Sequence, residues 1–449
     1  MTTTSPHPDS LTTLQLKSIA MKRLGIFLLV MLAFSHAGIM AQGKDSLVLS
    51  LIDDSRWFDL RRLYRSESSE WNDYTRRYAD AMIGNAFLQK GSYKKMKRLL
   101  KDKRTDDETQ LWLSYLLASN LSRRGKNSKA ASLLEKWLKQ KQEVFGKEVL
   151  AGYAAYWQYY KTIGRNKSMH YVRPYGGVEI PFQVDTVRQH DMQSVVMLIE
   201  GEINGERVRF IFDTGAAMNV VSQDLADRLN LTKTGVSMPV RGSKDLEEAL
   251  VIAREMSVGN VVFGHVPFIV SNLPDMNSNI GYSHKINAIV GVPMMLALSR
   301  LDIDFKARRI RVDTEAGAPS EHIEPNLCFD SQTGGLRMEY EHEGKHYMCM
   351  PDFGAPWSML GKHFFEGNKE KIIRLPTDTI SYWGIGGIQN IRQHSLHDFI
   401  LTIGGLRCKM PEVRIVEDRD FTDLLGMDVF QWFSKVIFDL DNMRLQVIP

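Results

Sequence analysis

The sequence predicts a multidomain α+β protein, with an N-terminal α-helical hairpin domain followed by an all-β region of two similar lobes. Three observations lead to this prediction: a helix-rich composition up to about residue 165, a strand-rich composition beyond it, and a set of landmarks that occurs twice in the strand-rich part. A chain of 449 residues is too long for one compact domain, so two or three domains are expected. The net charge of +4 is small for this length and does not indicate a nucleic-acid partner.

The N-terminus has the pattern of an export signal. Lys22 and Arg23 precede an apolar run over 24–34, and small residues follow up to a cleavage site expected after Ala41. The apolar run is shorter than a bilayer crossing requires, so we expect cleavage, with an uncleaved membrane anchor as the alternative. The expected location is therefore the periplasm or the cell exterior, with no stable membrane span after cleavage.

The helix-rich part contains a weak internal repeat. Gly91 and Gly125 are each followed by a Leu-Leu pair, at 99–100 and 133–134, and the offset is 34 residues in each case. This period is typical of stacked helical hairpins of the tetratricopeptide type. An irregular helical bundle is the alternative, because only two units show the repeat. In either form, the helical domain is a candidate surface for a protein partner.

After Tyr171 the apolar residues occur in short runs rich in Val, Ile and Phe, separated by Gly, Asn and Pro. This pattern is typical of strands, and Pro174 and Gly176-Gly177 indicate a linker before them. The predicted domains are a signal peptide over 1–41 (within which 1–20 is a candidate upstream stretch from a misassigned start), a helical-hairpin domain over 45–165, a first lobe over 180–316 and a second lobe over 325–449.

The first duplicated landmark is a hairpin that leads into an aspartate. In the first copy, Asn204-Gly205 forms a tight turn and the strand after it ends at Asp213. In the second copy, Glu343-Gly344 forms the turn and the strand ends at Asp352. The distance from turn glycine to aspartate is 8 residues in both copies (205 to 213, 344 to 352).

The later landmarks recur in the same order. The motifs Ile289-Val290-Gly291 and Leu424-Leu425-Gly426 end 78 and 74 residues after the two aspartates, and Asp304 and Asp439 follow 13 residues after each glycine. A lone Asp-Thr-Gly would occur by chance in such a chain with a probability on the order of 0.1. Several matched landmarks in one order indicate a true duplication. We expect Asp304 and Asp439 to be structural, since they follow the apolar-apolar-glycine strand and not the turn.

Over residues 180 to 449 these motifs resemble the retropepsin-like aspartyl proteases of bacteria, within the acid-protease superfamily. The resemblance implies two β-barrel-like lobes in one chain, with Asp213 and Asp352 as a catalytic dyad that faces a single water. It also implies an aspartic endopeptidase that acts on peptides or proteins with no metal and no cofactor, and a Thr214 hydroxyl that bonds across to the opposite lobe. The supporting motif residues are Thr214, Gly215, Ala216, Phe353, Gly354 and Ala355.

The dyad explains the chemistry that the resemblance implies. Two carboxyl groups at short range share one proton, so the ionised one acts as general base on water while the protonated one polarises the scissile carbonyl. Ala216 and Ala355 occupy positions where many pepsin-like enzymes have a hydroxyl that can bond the carboxylate. Losing a bond to the charged form raises a carboxyl pKa, so we expect activity in mildly acidic to near-neutral conditions.

The second motif departs from the family pattern. Phe353 replaces the expected Thr or Ser, and Pro351 removes a backbone donor from the strand before Asp352. One interpretation is an asymmetric but active dyad in which Phe353 packs apolarly. The alternatives are a catalytically impaired peptide-binding protein with a degenerate second lobe, and two chains that pair through their first lobes around Asp213.

A glycine-rich hairpin in the second lobe is a candidate substrate flap. Its glycines suit mobility and its aromatic side chains suit packing over a peptide; an ordinary glycine-rich hairpin is the alternative. A first-lobe counterpart is expected near 240–245. The predicted flap residues are Tyr382, Trp383, Gly384, Gly386 and Gly387.

The remaining candidates for chemistry are weak. The twelve histidines show no metal-ligand spacing. Cys328, Cys349 and Cys408 would permit one disulfide in an oxidising compartment, but the odd count leaves a free thiol and the sequence does not determine a pairing. We expect each cysteine to be a buried structural thiol.

Overall fold

The structure is a computed structural model, which describes residues 44–164, 166–189, 192–242, 245–273, 286–312, 324–417 and 422–449. The predicted signal peptide over 1–41 lies outside the described residues. Within these ranges, none of the helices combines the length and the apolar composition that a bilayer crossing requires. The structure has no disulfide at Cys328, Cys349 or Cys408, and the first two of these thiols are buried.

The N-terminal part of the described chain is helical, and each helix packs on the next. Apolar side chains at helical spacing form the buried faces of these helices, as Leu113, Leu116 and Leu117 do in one of them. The helices are α1 (Lys44–Asp53), α2 (Trp57–Glu67), α3 (Asp73–Ala86), α4 (Ser92–Leu99), α5 (Asp107–Arg123), α6 (Asn127–Lys141) and α7 (Lys147–Ile163).

The 34-residue offset recurs in the helix caps. The Asn72 side chain accepts a hydrogen bond from the backbone N–H of Thr75, and Asp106 accepts one from Thr109. Each cap lies 34 residues from its counterpart (72 to 106, 75 to 109). The pairs α3–α4 and α5–α6 therefore begin at equivalent positions, which favours repeated hairpins. The tetratricopeptide type itself stays a prediction.

The first β unit, defined here as the strands between residues 178 and 312, follows the short strand β1 (His170–Tyr171). The predicted turn joins two of its strands, and both Asn204 and Gly205 have positive φ, as this kind of hairpin requires. Its elements are β2 (Val178–Pro181), β3 (Gln183–Gln189), β4 (Met192–Ile203), β5 (Glu206–Phe212), β6 (Asn219–Ser222), α8 (Gln223–Arg228), β7 (Thr232–Arg241), β8 (Asp245–Val258), β9 (Val261–Ser271), β10 (Ala288–Val290), α9 (Val292–Leu298), β11 (Arg300–Asp304) and β12 (Arg309–Val312).

The second β unit, defined as the strands between residues 327 and 448, contains an equivalent hairpin before its aspartate. The hairpin that leads to Asp352 turns at Glu343 and Gly344, again with positive φ at both residues. The elements are β13 (Leu327–Asp330), β14 (Gly335–His342), β15 (Lys345–Pro351), β16 (Met359–Leu360), α10 (Lys362–Gly367), α11 (Lys369–Ile372), β17 (Thr377–Gly384), β18 (Gly387–Ile403), β19 (Leu406–Val416), β20 (Leu424–Leu425), α12 (Met427–Phe430), β21 (Lys435–Asp439) and β22 (Arg444–Ile448).

The same strand crossing occurs in both units. In the first, β5 lies parallel to β10, with Phe212 opposite Val290, and β10 runs antiparallel to β6. In the second, β15 lies parallel to β20, with Pro351 opposite Leu425, and β20 runs antiparallel to β16. Asp213 and Asp352, which directly follow β5 and β15, therefore occupy equivalent places in the two units. The exact limits of the predicted lobes stay a prediction.

A five-stranded sheet joins the two units, with the strand order β2-β12-β11-β21-β22. Its central pair is antiparallel, and Asp304 and Asp439 lie at its ends. Asp304 accepts a bond from the Ala307 backbone N–H, and Asp439 pairs with Arg300 at 3.3 Å. These contacts close a turn and join the strands, which supports the structural role predicted for both aspartates.

Candidate active site

The first aspartate loop follows β5 directly. The Asp213 backbone N–H donates to the Val290 carbonyl at 2.9 Å, which continues the parallel pairing of β5 and β10 up to the loop. One carboxyl oxygen, Oδ1, then accepts the backbone N–H groups of Gly215 and Ala216 at 2.8 and 2.9 Å. The side chain is therefore held by the loop that carries it.

The second aspartate loop repeats this arrangement after β15. The Asp352 N–H donates to the Leu425 carbonyl at 2.9 Å, and Asp352 Oδ1 accepts the N–H groups of Gly354 and Ala355 at 2.9 and 3.1 Å. Pro351 lacks an N–H, but the loop geometry after it is the same as in the first unit. The proline therefore does not distort the placement of the carboxylate.

The two carboxyl groups meet and hydrogen-bond to each other. Asp352 is only 9% exposed. The glycines make this approach feasible: a Cβ at Gly215 would lie 2.8 Å from the Asp352 carboxyl carbon, and one at Gly354 would lie still closer to Asp213. Any other residue at either position would displace a carboxyl group.

Thr214 connects the two loops. Its buried hydroxyl donates to the Pro351 carbonyl at 2.6 Å and accepts the backbone N–H of Phe353 at 3.0 Å. Both partners flank Asp352, so the threonine holds the second loop on each side of its carboxylate. The cross-connection that the family resemblance implied for Thr214 is present in this geometry.

Phe353 occupies the position where a second hydroxyl would stand. Its side chain is fully buried. The centroid of its ring lies 6.1 Å from that of Phe212, 5.0 Å from that of Phe430 and 5.6 Å from that of Phe438. An aromatic cluster from both units therefore replaces the missing half of the hydrogen-bonded connection. This is the apolar packing that one interpretation of the sequence expected.

Two further residues support the loops, and the motif search had missed them. Asn219 Oδ1 accepts the N–H of Gly291 at 3.2 Å, and Ser358 Oγ accepts the N–H of Gly426 at 2.9 Å. Each lies 6 residues after its aspartate (213 to 219, 352 to 358). The equal spacing was a signal that could have identified them. Ser358 also donates to Asp428, so the second loop is supported by a buried acid.

Burial raises the pKa of both dyad carboxyls. For Asp352 the pKa is raised well above its usual range, first by burial and then by the neighbouring charge of Asp213. For Asp213 burial raises the pKa, although hydrogen bonds from Asp352 and from two backbone N–H groups partly oppose it. Because charge on one carboxyl disfavours charge on the other, the pair holds one proton to a higher pH than an isolated aspartate does.

The predicted flap is a β-hairpin formed by β17 and β18, in which Gly384 pairs with Gly387. Gly386 and Gly387 both have φ near +100°, which favours glycine at the tip. The side chain of Trp383 lies outside the described residues, while Tyr382 is partly exposed beside it. The glycines therefore provide the positive-φ backbone conformation that the tip of this hairpin adopts.

The tip of this hairpin reaches the first unit. Ile385 approaches Gly242 so closely that a Cβ on the glycine would overlap the isoleucine carbonyl oxygen. Ile385 also packs on the same apolar cluster as Ala216 and Trp357, one from each aspartate loop. Gly242 belongs to the connection between β7 and β8, near the counterpart predicted around 240–245. The two hairpins therefore meet, and a role as substrate flaps remains a prediction.

A comparison with known protein families finds a match around the first aspartate loop. Residues 199–291 match a family model described as aspartyl protease. The match includes Asp213 and ends at Gly291, so it lies within the first unit and does not reach Asp352. A search of curated proteins found no match for the chain. The family match supports an aspartyl protease domain in this part of the chain.

Removing the Thr214 hydroxyl should destabilise the protein. In Thr214→Val the Pro351 carbonyl and the Phe353 N–H both lose a buried partner, and we expect a loss of about 2–4 kcal/mol. Thr214→Ser is the matched control, since it keeps the hydroxyl and should cost about 1 kcal/mol for one methyl group. Urea unfolding of the three proteins measures this, and equal stability of the Val and Ser variants would contradict the bridging role.

The dyad should make stability fall as the pH rises. Because the pKa values of Asp213 and Asp352 are raised in the folded state, that state binds more protons than the unfolded chain above the ordinary value of 3.8. The contribution of the pair to stability is therefore largest on the acidic side and is lost as the pH rises through the raised pKa values. Asp352→Asn removes one of the titrating groups, so its stability should fall less over that interval.

Urea midpoints across the pH range measure the difference. Burial also raises the pKa of Asp423 to about 7 and that of Asp428 to about 6, so both proteins should show a shared background loss. Only the excess loss in the wild type reports on the dyad. Identical pH dependence in the two proteins would mean that the two carboxyls do not share a proton.

Proposed function

We propose that the protein is an aspartic-type endopeptidase with Asp213 and Asp352 as its catalytic dyad. The observation that carries this proposal is the hydrogen bond between two buried carboxyl groups whose loops are joined by Thr214. A buried carboxyl pair that shares one proton is suited to general acid–base chemistry. The aspartyl protease match over residues 199–291 supports the same class of reaction.

The reaction follows from the protonation state of the pair. A water molecule between the carboxyls gives a proton to the ionised one while its oxygen attacks the carbonyl carbon of the scissile peptide bond. The protonated carboxyl donates to the carbonyl oxygen. Collapse of the tetrahedral intermediate breaks the C–N bond; the departing nitrogen takes the proton of one carboxyl, and a hydroxyl of the intermediate returns its proton to the other, so the pair again holds one proton. Neither aspartate is assigned a single role, because the pair titrates as a unit.

A catalytically impaired peptide-binding protein is the second candidate. Phe353 favours it, since half of the hydrogen-bonded connection is replaced by aromatic packing. Against it stands the Asp352 carboxylate, which accepts the same two backbone N–H groups as its counterpart. The intrachain contact between the carboxyls also supports a dyad within one chain over the pairing of two chains through Asp213.

Export and a bilobal organisation belong to the same proposal. The N-terminal signal pattern over 1–41 supports a protein that acts in the periplasm or outside the cell. The equivalent strand crossings of the two β units support two lobes in one chain. The helical-hairpin region, proposed to be of the tetratricopeptide type, would recruit a protein substrate or partner.

Substituting each aspartate separately tests the dyad. We expect Asp213→Asn and Asp352→Asn each to lower kcat on casein or on a peptide library by about 10²–10⁴-fold, since each removes one partner in proton transfer. Asp224→Asn is the matched control, because this aspartate lies exposed on α8. Loss only with Asp213→Asn would indicate two chains paired through their first units. No cleavage by the wild type at any pH would favour the peptide-binding protein.

The pH profile should peak in mildly acidic to near-neutral conditions. Burial raises the pKa of both dyad carboxyls. Both limbs of a kcat/KM profile should therefore lie at a higher pH than the ordinary pKa of an aspartate. In Ala216→Ser the new hydroxyl can donate to the Asp213 carboxylate, and the acidic limb should move to lower pH. A strongly acidic optimum of the wild type, or an unchanged limb in the variant, would contradict this account.

A further inference from the structure

Several partly exposed apolar side chains border one apolar cluster of the first unit. They come from both aspartate loops and from both hairpins, and all pack on one apolar cluster of the first unit. One apolar cluster therefore links both aspartate loops with both hairpins. These side chains are Ala216, Met218, Val240, Trp357 and Ile385.

Two tyrosines from the helical region belong to the same group. Tyr156 and Tyr159 lie on α7, are partly exposed, and pack on this apolar cluster of the first unit. Helix α7 lies along β7, the first strand of the hairpin that reaches Gly242 and the opposite tip. The helical region therefore packs on the same apolar cluster of the first unit as the residues that flank the two aspartates.

The tyrosine rings are held in place by their neighbours. The Tyr115 and Tyr156 ring centroids are 4.8 Å apart and their hydroxyls are hydrogen-bonded, while Tyr159 lies 5.5 Å from the buried Tyr160. The hydroxyl of Tyr159 bonds to Ser168. Rigid aromatic side chains provide contact area at a low cost in conformational entropy.

A second contact joins the helical region to the Asp213 loop. Tyr115 donates to the Ser331 carbonyl at 3.3 Å, and Asn85 donates to the Ser331 hydroxyl at 2.8 Å. Ser331 begins the turn between β13 and β14, and in that turn a Cβ on Gly334 would lie 3.4 Å from Ala217. Ala217 is the fourth residue after Asp213, so α3 and α5 support the turn that borders this loop.

The helical region breaks the symmetry of the two units. Met218 and Trp357 lie at equivalent positions, 5 residues after each aspartate (213 to 218, 352 to 357). Helix α7 lies along β7 of the first unit, and among the described residues no helix of the helical region packs in this way on β17, the equivalent strand of the second unit. A peptide across the dyad would therefore meet added aromatic surface from α7 on one side only.

We propose that Tyr156 and Tyr159 form part of the substrate-binding surface beside the Asp213 loop and select a large apolar side chain on one side of the scissile bond. This inference rests on the proposed peptidase activity. It assigns the helical region a direct part in specificity, in addition to any role in recruitment. The ligand class is a peptide with an aliphatic or aromatic residue at the position that contacts α7.

The cleavage profile of an equimolar library of short synthetic peptides tests the proposal. Wild type should prefer a large apolar residue at one position, and Tyr156→Ala and Tyr159→Ala should weaken that preference by about 10-fold or more through KM, with kcat nearly kept. Gln158→Ala is the matched control, since it is exposed on the same helix and should leave the profile unchanged. Folded Ala variants with the wild-type profile would overturn the proposal.

Leucine and phenylalanine variants keep the test decisive if an Ala variant does not fold. Tyr159→Phe retains the ring and should retain the preference. Tyr159→Leu retains an apolar side chain but changes its shape, so the favoured residue at the contacted position should change. An unchanged profile in a folded Leu variant would equally overturn the proposal.

A binding experiment separates this inference from the proposed function. The Asp213→Asn protein is used to capture peptides from the same library without turnover, and the retained peptides are sequenced. Enrichment of apolar residues that is lost in Asp213→Asn/Tyr156→Ala supports the tyrosine surface even if the wild type cleaves nothing, which would refute only the peptidase. Equal retention by both proteins would overturn the tyrosine surface whether or not the wild type cleaves.

Discussion

Two buried carboxyl groups held within hydrogen-bonding distance are the constraint on which the rest of this structure depends. Asp213 and Asp352 would repel each other if both were ionised, so their approach requires a shared proton and a firm support on each side. Backbone N–H groups hold one oxygen of each carboxylate, and glycines at 215 and 354 leave space for the opposite side chain. The Thr214 hydroxyl then joins the loops across the pair. Each of these supports favours the short distance at which the two carboxyls share a proton.

The second unit reaches the same carboxylate position by different means. A threonine hydroxyl makes two directional bonds, while Phe353 fills space among aromatic rings from both units. Hydrogen bonds to buried groups fix the loops through the cost of leaving a partner unpaired, and close packing fixes them through the cost of a cavity. Both costs are of similar size, so a phenylalanine can stabilise a loop connection that usually depends on a hydroxyl. The site is asymmetric in its supports and nearly symmetric in its carboxylates.

Contacts between the units extend well beyond the loops. Strands β11 and β21 pair in one sheet, so each unit provides hydrogen-bond partners for a strand edge of the other. The β3–β4 and β13–β14 hairpins also reach the opposite loop: Ser194 donates to the Pro356 carbonyl, and Gly334 lies beside Ala217. Pro356 and Ala217 are the fourth residues after their aspartates. The helical region adds a third connection through Ser331, which links its helices to the surroundings of the dyad.

The sequence by itself determined the elements whose signal is local or periodic. The turns at Asn204-Gly205 and Glu343-Gly344, and the strands that lead from them to Asp213 and Asp352, follow from short-range residue preferences and equal spacing. Only the tertiary structure decided which distant groups meet: the Thr214 hydroxyl with the second loop, and the helical tyrosines with an apolar cluster of the first unit. Such contacts depend on the packing of segments that are far apart in the chain, and no local pattern in a single sequence records that packing.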